Sequence, residues 1–145
     1  MTRTRTFLVL AVLLALLAVS TATPASAAGL RAKMFSLIND ARTNHGVPKL
    51  DLDVRLSQHA KHHSRRMADL NLVYHSAQVE NWLSDVDWSI YGENIGKAHT
   101  LKRVKELWMA SPAHKANVLN EKFDYVGVGV VKQGKWFWVT AIFYG

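Results

Sequence analysis

The segment Trp136-Phe-Trp-Val-Thr-Ala-Ile-Phe-Tyr144 constrains the fold more than any other stretch of this chain, because it is apolar on both parities. Side chains alternate along a strand, so Trp136, Trp138, Ile142 and Tyr144 share one face and Phe137, Val139, Ala141 and Phe143 the other. A strand with two apolar faces belongs in a sheet that is covered on both sides. Upstream, Val126, Val128 and Val130 alternate and lead through Gln133-Gly134 into this segment, which predicts a β-hairpin. The fold class that follows is α+β, a small antiparallel sheet with helices packed on both faces.

The covering helices are read from the preceding residues. Leu30, Met34, Leu37, Ile38 and Ala41 recur at helical spacing and predict a helix over 30–44, ended near Asn44-His45-Gly46 and Pro48. Leu56, Ala60, His63, Met67 and Leu70 predict a second over 52–70, with Asp51 or Asp53 as its cap. Thr100 can cap a third carrying Leu101, Val104, Leu107 and Trp108 on one stripe, and Ser111-Pro112 starts a short fourth through Leu119. Between Asn71 and His99 the period is lost, and the segment reads as irregular and partly buried, a setting that binding residues favour.

The amino end is a different kind of sequence. Arg3 and Arg5 precede an unbroken apolar run from Phe7 to Val19, followed by Pro24 and Ala25-Ser26-Ala27. This is the pattern of a secretory signal peptide over residues 1–27, leaving one domain over 28–145. Thirteen residues rise only about 20 Å as a helix, short of a hydrocarbon core of roughly 30 Å, so a membrane span is not the expectation. No later stretch is long and apolar enough to span either. Removing Arg3 and Arg5 leaves 16 Lys and Arg against 11 Asp and Glu, a moderately basic body of net +5. That charge suits anionic wall polymers or lipid headgroups, and its scattered placement gives nucleic acid no stripe to follow. Cysteine is absent, which excludes disulfides, thiolate metal sites and a cysteine nucleophile.

Five ordered blocks carry a resemblance. They are His63-Ser64-x-x-Met67-Ala68, Tyr74-His75-Ser76, Tyr91-Gly92-Glu93-Asn94-Ile95-Gly96, Val104-x-x-x-Trp108-Met109-x-Ser111-Pro112-x-His114-Lys115-x-Asn117-x-Leu119, and Gly127-Val128-Gly129-Val130. Together they resemble the bacterial branch of the CAP superfamily, the SCP-like extracellular domain of cysteine-rich secretory proteins, antigen 5 and pathogenesis-related 1 proteins. The resemblance spans residues 30–145 and implies an α-β-α sandwich, an extracellular or cell-envelope location and a central cleft. It also implies cleft residues: His75 and His114 match the family's two histidines and Glu93 one of its two acids. Ser111 stands where eukaryotic members place the second acid, three residues after the helix-three tryptophan, so the tetrad is incomplete.

Two readings of that cleft have different chemistry. His75 and His114 could hold Zn²⁺ with Glu93 as ligand or base, leaving an open position for an activated water and making the protein a hydrolase. Alternatively, the two imidazoles satisfy a buried Glu93 charge and hold the long segment in place around a binding site. The second reading leads: a non-enzymatic binding or interaction module, with lipid, sterol-like or wall-derived ligands implied by the resemblance. Asn94 is expected to fix the backbone around Glu93, and Tyr91 to pack beside it. Gly92 and Gly96 are expected to serve loop geometry, and Ser111 to cap a helix rather than act as a nucleophile. His59 and His63 lie at i and i+4 but lack the glutamate of a zincin motif, so His63 reads as a packing histidine.

Overall fold

A computed structural model describes the chain from Pro24 to Gly145, so the leader expected over residues 1–27 lies almost wholly outside the described residues. The elements in order are α1 (Pro24–Asn44), β1 (Asp51–Leu52), α2 (Val54–Leu70), α3 (Val79–Trp82), β2 (Tyr91–Ala98), α4 (Leu101–Ala110), α5 (Pro112–Val118), β3 (Tyr125–Gln133) and β4 (Trp136–Tyr144). They build a four-stranded sheet in the order β1-β3-β4-β2. The predicted hairpin is β3 and β4, paired from Tyr125↔Tyr144 to Gln133↔Trp136, with Gly134 at φ +56 in its turn.

The two parities of β4 do face two helical layers. Val139, Ala141 and Phe143 join Val126, Val128 and Val130 of β3 in a core with Met34 and Ile38 of α1 and Val104 and Trp108 of α4. On the opposite face Ile142 and Tyr144 pack with Leu56 and Ala60 of α2, and Trp138 packs with Met67 and Ala68. The α-β-α sandwich is therefore present, with one addition. The two-residue β1 pairs parallel to β3, at Asp51↔Tyr125 and Leu52↔Val126, so the sheet is antiparallel except at that edge.

Helix α2 sits closer to the sheet than ordinary side chains permit. A Cβ built at Gly129 would lie 2.1 Å from the backbone carbon of Ala60, and one at Gly127 would lie 2.6 Å from Leu56 Cγ. The bare backbone of β3 is what lets the helix settle there. Hydrogen bonds follow from that proximity: Val128 N–H donates to Ser57 Oγ at 2.9 Å, and Ser64 Oγ reaches Gly129 O at 3.2 Å and Thr140 Oγ1 at 2.9 Å. The ends of α2 are set by sequence-legible caps. Asp53 Oδ1 accepts from Leu56 N–H at 2.7 Å, and Asn71 takes the left-handed conformation at φ 50.

Asp53 also ties the helix to the sheet, since Tyr144 donates its hydroxyl to Asp53 Oδ2 at 3.0 Å. Burial first, and the carboxylate second, push the Tyr144 phenol up to about 12. The unfolded chain releases this proton near about 10, so between about pH 10 and 12 the folded state alone retains it, and stability falls as pH rises through that window. Below about pH 10 this group gives no pH dependence. Alkaline absorbance titration is expected to show a tyrosine step at about pH 12 that Tyr144→Phe removes.

Three expectations need correction. The segment around Tyr91-Gly92-Glu93-Asn94 is not irregular: it is β2, paired residue for residue with β4 from Tyr91↔Tyr144 to Ala98↔Phe137. Glycine and asparagine are poor strand formers alone, and here the ready-made edge of β4 outweighs that preference. Gly92 and Gly96 also have a different purpose from the one expected. Neither has positive φ; each leaves room, Gly92 for Asn117 and Gly96 for Val104 and Trp108. Finally, α1 begins at Pro24 rather than residue 30, running through Ala25 to Ala28 and across Gly29 without a break.

Candidate functional site

The site is assembled around the outer edge of β2. Strand alternation turns Glu93 toward the α2 side of the sheet and Asn94 toward the α5 side. The Glu93 side chain is 6% exposed, and its Oε2 accepts from His75 Nδ1 at 2.6 Å and from Ser76 N–H at 3.0 Å. Those two bonds fasten the segment after α2 to the strand. Glu93 Oε1 is buried and has no partner among the described residues. His75 is 60% exposed, with Nδ1 turned to the carboxylate.

His63 explains why His75 arrives where it does. Its Nε2 donates to Tyr74 O at 2.8 Å, its ring meets Tyr74 edge-on at 4.9 Å, and it is almost wholly buried. It is a packing histidine that holds the residue before His75, and His59 nearby stacks on Trp82 at 5.4 Å. Next to this anchor lies a pocket of about 220 Å³ lined by His63, Arg66, Tyr74, His75, Ser76 and Gln78 among others. It is smaller than the roughly 300–1,000 Å³ of drug-sized sites, so it takes part of such a ligand rather than the whole.

From the other side, α5 is laced to β2 by two asparagines. Asn94 is fully buried and donates from Nδ2 to His114 O at 2.9 Å. Asn117 donates to Asn94 Oδ1 at 2.9 Å and to Glu93 O at 3.3 Å. Trp108 of α4 adds Nε1–H to Ile95 O at 2.8 Å. These contacts bring the His114 ring to 6.5 Å from that of His75, centre to centre. Burial, and then repulsion from His75, hold the His114 imidazole below its ordinary pKa, so it stays neutral at about pH 7.

The structure therefore brings together His75, Glu93 and His114, with Asn94 as their brace. Tyr91 is 37% exposed and serves elsewhere, donating its hydroxyl to Glu80 Oε1 at 2.9 Å and meeting Trp88 edge-on. Ser111 occupies the link between α4 and α5, but its side chain makes no capping bond; its extended backbone at φ −98, ψ 122 separates the two helices. Asn117 received no role from the sequence. The signal was available, because His114 and Asn117 stand at i and i+3 on one face of a helix.

The donor set can be tested against zinc. Two imidazoles on a tetrahedral zinc at about 2.1 Å per nitrogen put their ring centres roughly 5 Å apart, closer than the 6.5 Å here. Glu93 Oε2 already serves two donors, and among the described residues no three His, Cys, Asp or Glu side chains gather closely enough to hold a metal ion. As placed, these residues do not fit a zinc centre.

Comparison with known proteins agrees with the architecture. The sequence profile of the cysteine-rich secretory protein family matches residues 35–143. YkwD of Bacillus subtilis (strain 168) is 32% identical over 122 residues, covering 79% of this chain and 48% of YkwD. Among solved structures, an extracellular protein containing an SCP domain from Bacillus anthracis is similar with a TM-score of 0.69 and 31% identity, over 86% of this chain and 44% of that one. An outer surface protein of Borrelia burgdorferi shares the fold at a TM-score of 0.69 and 19% identity, over 78% of this chain and 90% of its own. This chain spans less than half the length of both Bacillus proteins. With the sandwich, the ordered blocks and the profile in agreement, the chain belongs to the cysteine-rich secretory protein (CAP) family, in its bacterial form.

Proposed function

We propose that this is an exported protein acting as a non-enzymatic binding module at the cell envelope or outside the cell, with the His75–Glu93–His114 cleft receiving part of a lipid or wall-derived ligand. The observation that carries the reading is Glu93 Oε1, a buried carboxylate oxygen without a partner among the described residues. An unsatisfied buried acceptor costs about 1–3 kcal/mol, and a ligand hydroxyl or ammonium donor recovers it. The neighbouring oxygen, Oε2, is held by the exposed His75 at 2.6 Å, so a ligand reaching Oε1 meets that imidazole as well. Catalysis has less support, since the Ser111 hydroxyl is bonded to no imidazole among the described residues and the nucleophile–base pair of acyl transfer is not assembled. Export is supported by the leader pattern and by the extracellular description of the Bacillus anthracis protein.

The test has two arms. In NMR titrations with soluble wall fragments and with short-chain phospholipid, one class is expected to shift His75, Ser76 and Glu93, and Glu93→Gln is expected to abolish the response. No response to either class would overturn the reading. Calorimetric titration of Zn²⁺ into metal-stripped protein is expected to show no site that depends on the cleft. Micromolar or tighter binding that vanishes in the His75→Ala/His114→Ala double variant would replace the binding module with the zinc hydrolase.

A further inference from the structure

One end of the molecule carries a surface that the cleft does not use. Seven large apolar side chains stand well exposed among the described residues, and three of them, Leu70 (63%), Leu72 (56%) and Val73 (43%), fall within four consecutive positions. Leu70 closes α2, and Leu72 and Val73 follow the left-handed Asn71 that ends the helix. Lys97 Nζ donates to Asn71 Oδ1 at 2.7 Å and lies 4.7 Å from the ring centre of Trp136 and 4.3 Å from that of Trp138. The β3–β4 turn is adjacent, tied to α2 by Gln133 Nε2 donating to Ala68 O at 3.4 Å. It contributes the exposed Lys132 and Lys135, whose ammonium groups lie 5.8 Å from the rings of Phe137 and Trp136.

The chemistry of this end is consistent across its members. Lys97, Lys132 and Lys135 form no salt bridge among the described residues, and from Tyr125 to Gly145 there is no Asp or Glu. Asp69 is the one acid in the neighbouring turn of α2. Trp136 is already engaged, by His99 stacked at 3.8 Å and by Lys97 and Lys135 at 4.7 and 5.8 Å from its ring centre, so the ring is not a free platform for a sugar. A polyanion in water offers three bare aliphatic side chains nothing. An anionic bilayer offers both terms: headgroup charge for the lysines and hydrocarbon for Leu70, Leu72 and Val73, with tryptophan at the depth it favours.

We infer that the end formed by Leu70–Val73 and the β3–β4 turn docks on an anionic lipid bilayer surface. The aliphatic residues enter the leaflet and Lys97, Lys132 and Lys135 meet the phosphates, while the His75–Glu93–His114 cleft takes no part. Each lysine near such a surface strengthens binding about fivefold, and each leucine carried into hydrocarbon by roughly tenfold or more.

The experiment is co-sedimentation of the purified protein with vesicles of phosphatidylcholine alone and of phosphatidylcholine mixed with phosphatidylglycerol. Binding is expected only to the mixed vesicles, with loss at high salt. Lys132→Gln/Lys135→Gln should weaken it by about twenty-five-fold, and Leu70→Asn/Leu72→Asn by about a hundredfold or more at low salt. Lys33→Gln, an exposed change on α1, should leave it nearly unchanged, which separates this surface from the net charge of the protein. Circular dichroism checks that each variant is folded, and the mutated lysines and leucines all lie outside the buried core. No binding to mixed vesicles overturns the inference. So does a lysine effect with no leucine effect, which would assign the end to a soluble polyanion. Concentration-dependent dimerisation abolished by the leucine variant would assign it to a second copy of the chain and overturn it equally.

Discussion

Gly129→Ala is expected to destabilise the protein by about 4 kcal/mol or more, a large share of the roughly 5–15 kcal/mol that holds a domain of this size together. The added Cβ would meet Ala60 C and Lys61 N, both at 2.1 Å, and Ala60 O at 2.4 Å. These are backbone atoms in the middle of α2, so no rotamer change relieves the contact. The helix must lift as a body, weakening the Ser57 and Ser64 bonds to β3 and the packing of Leu56 and Ala60. Gly29→Ala is the matched control, because nothing lies within 4 Å of a Cβ there. It stands inside α1, where alanine is favoured over glycine by up to about 1 kcal/mol. Denaturant unfolding of both variants checks the pair. A loss below about 1 kcal/mol at Gly129, no more than an ordinary surface change, would mean that α2 does not rest on the β3 backbone.

The second large effect belongs to Arg42, a fully buried cation. Its guanidinium donates to the carbonyls of Pro48, Val118, Asn120 and Phe123, tying the end of α1 to the turn before β1 and to the passage from α5 into β3. Among the described residues no carboxylate forms an ion pair with it. Burial lowers its pKa below the ordinary arginine value, with Asp124 and Glu121 pulling the other way, and the group remains charged at any ordinary pH. Arg42→Met keeps the length of the side chain and removes every donor, stranding carbonyls in the interior, for an expected loss of about 3–5 kcal/mol. Arg42→Lys keeps the charge but cannot span the same four acceptors, and about 2 kcal/mol is expected. Urea midpoints falling in the order wild type, Arg42→Lys, Arg42→Met would establish that the fork of donors, beyond the charge, is what holds these segments.

Arg42 also shows where the sequence becomes silent. A cation in the last turn of a helix reads as a favourable partner for the helix dipole, exposed and replaceable. Its true neighbours lie 76 to 81 residues away in the chain for three of its four acceptors, and no local pattern encodes them. The features that were legible are those with a short-range signature: the double parity of β4, the Asp53 and Thr100 caps, and the proline opening α5. The His75, Glu93 and His114 triplet was legible only through ordered motif blocks, because gaps of 18 and 21 residues have no meaning until the fold closes them. Strand β2 was hidden for the converse reason. Its glycines and asparagine serve neighbours in α4 and α5, so they obscure the very strand they belong to.

That outer strand bears on how the protein behaves at high concentration. An edge strand with free carbonyls is a template on which another molecule can add, and aggregation commonly starts there. On β2 the carbonyls of Glu93 and Ile95 already receive the side-chain N–H groups of Asn117 and Trp108. The same asparagine and tryptophan that brace α5 and α4 on this strand therefore occupy the positions where a foreign strand would first bond. Asn117→Ala, which frees the Glu93 carbonyl while sparing the core, is expected to lower the concentration at which the protein stays in solution.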